Sequence, residues 1–463
     1  MSTERFVKTC KLPVSASDAY EWHMREGAFW RLAPSWEEME FIEGPPVPYE
    51  GSLLRFKVKQ GPLFIEWRAR HVDFIPGREF TDIQEKGPFA QWKHVHKITD
   101  ENGGRSILED CVDYRLPFAL DINPLARHVI SSKVEQMFEY RHAILLHDLQ
   151  YFSKYKSVSR KKILVAGADA PLGAQLVAFL RTQGHQVLVL TPRMNLAEQP
   201  GFLFLNLSDL DNKDGTVLNT FDAIIDLRTE TALHGDGYGN GSLSEGLIFS
   251  SASLVSFVQR YAPHAVLISL SSAEIYGKSG LEKVDESTAP AADERAQFLA
   301  RLERTFAEAA RDGCRVVNLR MGQIISTKNG LLKQLLSSYH PGSAIEIASR
   351  STISWVAFCD AIYAIYHALM NDKVRGTVNV AAPGPITANE FAHILNSIVM
   401  PHSLLTMPAT HRTLDELNRD DCFLVSTKLV ESGFSFAFAD LETALRHLVG
   451  KTHGAAQSLY ESI

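Results

Sequence analysis

The run Lys162-Ile163-Leu164-Val165-Ala166-Gly167-Ala168-Asp169-Ala170-Pro171-Leu172-Gly173 constrains this chain more than any other stretch of it. Four apolar residues, Ile163 to Ala166, predict a buried parallel strand. Gly167 follows at once, Gly173 comes six residues later, and Pro171 suits a first helical turn, where a missing N–H costs nothing. Strand, glycine turn and helix together set unpaired helix N–H groups against a pyrophosphate. A second strand, Gln186 to Leu190, arrives after the helix and Gly184, as such a fold requires. The run therefore predicts a nucleotide-binding α/β fold with Gly167, Ala170, Pro171, Leu172 and Gly173 at the phosphates. A carboxylate introduced by Gly173→Asp is expected to face the pyrophosphate and abolish binding.

A chain of 463 residues predicts two or three domains. With 47 basic against 54 acidic side chains there is no positive surplus to neutralise phosphates, so neither nucleic acid nor an anionic membrane is expected as a partner. The five cysteines are scattered and odd in number, with neither disulfide nor zinc spacing, which suits a reducing cytoplasm. The first residues show no apolar signal core, and no run of about 18 apolar residues exists to span a membrane.

Residues 1–155 read as a separate α+β domain. Strand-like runs cover Arg5 to Leu12, Leu53 to Val58, Leu63 to Phe74, Phe80 to Gln84, Trp92 to Ile98 and Ser106 to Tyr114. Ser15 or Ser17 can cap a helix over Ala19 to Arg25, and a long amphipathic helix runs from Pro124 to Phe152. A curled antiparallel sheet with a long terminal helix is a helix-grip arrangement, which leaves an apolar cavity suited to an apolar ligand. The stretches from Trp22 to Phe29 and Arg31 to Glu37, and Gly87-Pro88-Phe89 before Trp92, His94 and His96, resemble the START/polyketide-cyclase-like (SRPBCC) superfamily. The likeness is to its branch fused to a dehydrogenase-like domain.

Trp92, His94, His96 and Ile98 share one strand face by the period of two. The two histidines read as hydrogen-bonded groups on a half-buried sheet, as polar groups in a ligand cavity, or as a metal pair. No third ligand of suitable spacing is visible, so no metal is assigned. His23, beside Trp22, reads as a packing residue.

A basic, polar linker, Tyr155 to Lys162, leads into the second domain, residues 160–385. The Gly167-x-x-Ala170-x-x-Gly173 spacing resembles the glycine pattern of extended short-chain dehydrogenase/reductases. The second strand ends at Thr191-Pro192-Arg193, without the acid that usually binds the adenosine ribose. Thr191 and Arg193 can donate to a 2′-phosphate, so NADP is expected over NAD. The resemblance also implies that Asp209 lies near the adenine. The usual Asn-Leu-Ala-Gly turn after the fourth strand is altered here to Asp226-Leu227-Arg228-Thr229, with Leu227 against the cofactor.

The strand Val266 to Ser272, running into Ile275-Tyr276-Gly277, resembles the one that delivers the catalytic serine of that group, and Ser272 matches it. There a tyrosine acts as acid or base, its pKa lowered by a lysine four residues on. The matching positions on the helix predicted over Asp293 to Arg311 are Phe298 and Leu302, so the usual Tyr-x-x-x-Lys device is absent. Tyr276 and Lys278 are the nearest substitutes, although in relatives Tyr276 belongs to a structural turn. Arg320 to Ile324 and Ser354-Trp355-Val356 with Asp360 match further family patterns, and Asp360 is expected to organise the start of a helix over 361–370.

Residues 386–450, with a helix capped by Thr387, resemble the small C-terminal α/β cap of the nucleoside-diphosphate-sugar epimerase-like group, and 451–463 form a tail. The chain is thus read as an α/β Rossmann domain of the extended type between a helix-grip domain and a cap. Three functions remain open. One is an atypical NADP-dependent oxidoreductase or epimerase on an unknown small molecule, using Ser272 and Tyr276. The second is a catalytically inactive dinucleotide-binding sensor or scaffold. The third is a lipid or aromatic-ligand carrier.

Overall fold

The computed structural model describes all residues except 1–2, 46, 192–200, 205–215, 235–240, 339–344, 346–350, 400–420 and 452–463. Two compact units result. One comprises residues 1–157 with 181–184 and 446–463, the other 158–180 with 185–445.

In the first unit, seven strands form one antiparallel sheet: β1 (Glu4–Leu12), β2 (Met39–Glu43), β3 (Leu53–Gln60), β4 (Leu63–Ile75), β5 (Glu79–Lys86), β6 (Gln91–Glu101) and β7 (Arg105–Arg115), in the order β1-β7-β6-β5-β4-β3-β2. Helices α1 (Ala16–His23) and α2 (Ala28–Leu32) fill the link from β1 to β2, and the long α3 (Pro124–Lys154) follows β7. Ser15 caps α1 by accepting from Asp18 N–H, and Asn123 caps α3 ahead of Pro124 in its first turn. Strand β2 and helix α2 are not legible in the sequence pattern: β2 is an edge strand and almost wholly exposed, so no apolar alternation marks it. Elsewhere alternation is clean. On β6, Trp92, His94, His96 and Ile98 are buried while their neighbours are not. Trp92, Val112, Tyr114, Leu116, Val134 and Phe138 pack together between sheet and α3. A bidentate pair, Arg31 to Asp148 at 2.9 and 2.7 Å, ties α2 to α3 in full burial.

The second unit is built on a parallel sheet: β8 (Lys162–Ala166), β9 (Gln186–Thr191), β10 (Phe202–Phe204), β11 (Ala223–Asp226), β12 (Val266–Ser272), β13 (Val316–Met321) and β14 (Gly376–Val380). Their order, β10-β9-β8-β11-β12-β13-β14, is that of a doubly wound dinucleotide fold. It reverses between β8 and β11, and the crevice beyond those two strand ends is where such folds bind ligands. Helix α4 (Pro171–Thr182) follows β8, α5 (Arg228–His234) follows β11, and α6 (Gly241–Tyr261) leads back to β12. Helix α7 (Glu294–Ala307) starts at Asp293, which accepts from Arg295 and Ala296 N–H. The fully buried α8 (Phe358–Met370) precedes β14. The helix over Ala388–Val399 opens with a reciprocal cap between Thr387 and Glu390, as read from the sequence. The helical stretch expected from Thr413 to Asn418 lies outside the described residues.

Asp360 differs from expectation. Helix α8 begins two residues before it, and its carboxylate accepts from Ala437 N–H at 2.7 Å and Phe438 N–H at 2.9 Å, fastening the C-terminal segment instead. Burial pushes its carboxyl up to about 7, against those two donors. A folded-state pKa above the unfolded 3.8 adds stability that is full below about pH 4 and lost as pH rises through about 7. Asp360→Asn removes that titration. Across pH 4 to 8 the unfolding free energy of the wild type, followed by urea denaturation, falls relative to the variant by up to about 4 kcal/mol.

Candidate functional site

The turn after β8 carries the sequence-predicted phosphate residues. Gly167 holds φ +83°, and a Cβ there would lie 2.7 Å from the Leu227 carbonyl carbon and 2.8 Å from Arg228 N. A Cβ on Gly173 would lie 2.2 Å from the Gly167 carbonyl oxygen. Both positions thus need glycine for backbone to pass against backbone. Ala170, Leu172 and Leu227 are buried around the turn, and Pro171 starts α4. The structure brings these residues together at the reversal of strand order. Arg193 and Asp209 lie outside the described residues. Gly173→Asp cannot isolate charge at this site, because any side chain collides with the turn itself.

One residue that sequence reasoning missed reaches the same place. Glu230, buried on α5, accepts from Leu172 N–H at 3.4 Å and from Asn329 Nδ2 at 2.8 Å. Burial raises its pKa, with Asp169 adding to the effect and the hydrogen bonds opposing it. A carboxylate of the chain therefore lies at the positive end of α4. Pro171 offers no N–H there, so Leu172 is the first donor of the helix. Asp226, the first residue of the altered turn, is paired with Arg228, whose guanidinium also reaches Ser250 and Ser251.

The catalytic candidates are bound up in the structure. Ser272 Oγ accepts from Glu274 N–H and starts a short 3₁₀ turn over Ala273–Tyr276. Tyr276 Oη donates to Asn379 Oδ1 at 2.7 Å and accepts from Arg320 Nη1 at 2.7 Å, while that guanidinium lies 4.9 Å from its ring centre. Burial pushes the phenol up to about 12 despite both partners. Arg320 is also paired bidentately with Glu303, which accepts from Ser271 at 2.5 Å. Phe298 and Leu302 lie in the apolar core between α7 and the sheet. Glu303 on the same helix is paired with Arg320.

In the first unit, His94 and His96 point inward. His94 Nε2 and His142 Nε2 bond the two oxygens of Asp110 at 2.9 and 2.6 Å, and His96 Nε2 bonds Asp82 at 3.2 Å. Burial and the neighbouring His96 hold His94 down to about 4, whereas the charges of Asp110 and Asp82 overcome burial and lift His96 to about 8. His23 is buried, with Nδ1 on the Ala19 carbonyl, and burial lowers it to about 4.

Residues 163–381 match the model of the NAD dependent epimerase/dehydratase family. The chain is 25% identical to the epimerase family protein SDR39U1 homolog, chloroplastic, of Arabidopsis thaliana over 307 residues, 63% of this chain and 87% of that protein. A nucleoside-diphosphate sugar epimerase from Corynebacterium glutamicum superposes with TM-score 0.75 at 23% identity, covering 99% of this chain and 93% of its own. Its likeness extends over both units and concerns the fold. The expected preference for NADP over NAD is corrected. MoeE5, of the same fold with TM-score 0.50 and 18% identity over 64% of this chain and 99% of its own, is seen in complex with NAD alongside UDP-glucose and alongside UDP-glucuronic acid. The physical basis of the expectation also weakens at Thr191, which is buried at the end of β9, in register with Phe204. Among the described residues no helix is long and apolar enough to cross a membrane.

Two outcomes test this geometry. Gly173→Ala forces its methyl onto the Gly167 carbonyl and costs about 3 kcal/mol or more in urea unfolding. Tyr276→Phe leaves Arg320 and Asn379 short of a buried partner and costs about 1–3 kcal/mol by the same measurement.

Proposed function

We propose that the second unit holds a nicotinamide dinucleotide in the crevice beyond β8 and β11, and that it binds this cofactor without running the Tyr-x-x-x-Lys proton transfer of epimerase-type enzymes. The observation that carries the reading is the Gly167–Gly173 turn at the reversal of strand order, with α4 starting directly behind it. The match of this region to an epimerase/dehydratase family supports the same cofactor class. Against turnover by the expected route stand the two hydrogen bonds that occupy Tyr276 Oη and the apolar side chains at 298 and 302. A dinucleotide-binding sensor of the epimerase fold therefore fits better than an oxidoreductase using Ser272 and Tyr276. The first unit, an antiparallel sheet with one long helix, is read as a helix-grip domain of the SRPBCC type, and residues 386–450 as a cap on the second unit.

In this reading Glu230 stands in the pyrophosphate's place and must give way to it. Like charges a few ångströms apart in a buried site oppose each other by at least a kilocalorie per mole or so. Glu230→Gln keeps the shape and removes the charge. Isothermal titration with NAD is expected to show binding to the wild type and about tenfold tighter binding to Glu230→Gln. Equal affinity in the two proteins means that the carboxylate does not share the nucleotide's site. Absence of binding to both, in folded protein, removes the dinucleotide assignment.

A further inference from the structure

We infer that the first unit contains a binding site for a divalent first-row transition metal, built from Asp82, His94 and His96. One ligand atom from each residue lies within 4.8 Å of the others. Asp82 Oδ2 is 3.2 Å from His96 Nε2 and 3.7 Å from His94 Nδ1. Ligands about 2.0–2.2 Å from one cation stand roughly 3–3.5 Å apart in tetrahedral or octahedral arrangements, close to the two acid–imidazole distances here.

The surroundings are those of a prepared ligand set. A metal-binding imidazole characteristically has its second nitrogen against a carboxylate, which fixes the tautomer and the ring. Here Asp110 does this for both histidines: its Oδ1 is 2.9 Å from His94 Nε2 and 2.9 Å from His96 Nδ1. Asp110 is in turn held by His142 Nε2 from α3 at 2.6 Å. On the other side, His71 Nε2 lies 3.2 Å from Asp82 Oδ1, and its Nδ1 is 3.1 Å from Ser52 Oγ. Ring orientation is fixed by packing: His96 stacks on Phe80 at 4.1 Å, and His94 meets Phe138 edge-on at 5.0 Å.

The chemistry selects the ion. Two imidazoles and one carboxylate suit zinc, cobalt, iron or manganese, whereas calcium and magnesium prefer all-oxygen shells and monovalent copper prefers sulfur. Three protein ligands leave at least one coordination position for water or a small ligand. Asp82 supplies the entry side, with 22% of its side chain exposed against 2% for His94.

The test uses the full-length protein, stripped with a chelator and titrated with Co²⁺, whose visible absorption reports a protein-bound ion. The expected result is saturation at one equivalent, reversal by excess Zn²⁺ and a rise in Tm. X-ray absorption at the cobalt edge is expected to count two imidazoles. Asp82→Asn and His96→Gln are expected to abolish the bands, Asp110→Asn to weaken binding about 10- to 100-fold, and His128→Ala, on the exposed face of α3, to leave it unchanged. The inference is overturned if the folded wild type shows no saturable absorption, or if the cobalt edge counts fewer than two imidazoles. Binding by folded Asp82→Asn or His96→Gln equal to that of the wild type overturns it as well. The carboxylate–imidazole network would then hold protons alone.

Discussion

Two missing methyl groups decide how the larger unit is put together. Gly173 lies on the carbonyl of Gly167, and Gly167 lies on the backbone of Leu227 and Arg228, so three turns of chain meet at distances that no Cβ permits. That contact fixes the start of α4 next to the end of β11, and the polar ends of both elements then share one small volume. A helix start in such a place attracts an anion. The same closeness lets the chain provide one of its own. Glu230, three residues past Leu227, is near enough to take the N–H of Leu172. The helix start and the carboxylate beside it thus follow from one steric fact.

Beneath β12 and β13 the polar groups serve cohesion. Ser271, Glu303, Arg320, Tyr276 and Asn379 form one connected buried network, in which every strong donor meets an acceptor. Removing a single member of such a network strands a charge or a dipole in low dielectric, which is why its cost exceeds that of an ordinary surface bond. A catalytic phenol needs the opposite condition: a proton that leaves easily and a nearby cation to stabilise what remains. Tyr276 has the cation, but Arg320 is already neutralised by Glu303, and the net effect of burial is to hold the proton on. Phe298 and Leu302 then complete an apolar layer where a relay would otherwise need polar atoms.

Much of this was legible in the sequence. The run from Ile163 to Gly173 implied the strand, the turn and the helix, and the alternation on β6 placed His94 and His96 on one face, which is the inner one. What escaped the sequence depends on pairing between distant segments. Glu230 belongs to a stretch whose altered Asp226-Leu227-Arg228-Thr229 turn drew notice for its lost small residues, yet its role requires knowing that α5 faces the start of α4. The NADP preference rested on the residue types at 191 and 193 alone, without knowing that Thr191 ends its strand buried. Asp360 was assigned to its own helix because capping is local, whereas its actual partners lie 77 and 78 residues away.

The histidine cluster shows the same limit most sharply, because its geometry is set by strand register. His71 pairs with Asp82, Asp82 with His94, and His96 with Asp110, so four adjacent strands place acid and imidazole directly opposite one another on one face. A slip of one residue at any of these pairings would turn an entire strand over and bring charged groups to the wrong side. The pairing of Phe80 with His96, which also stack, helps hold β5 and β6 in the register that the cluster needs. The same face continues from His94 to Trp92 and its aromatic neighbours Trp67 and Phe89. The inner face of the sheet is therefore graded along β6, aromatic at Trp92 and acid–imidazole at His94 and His96.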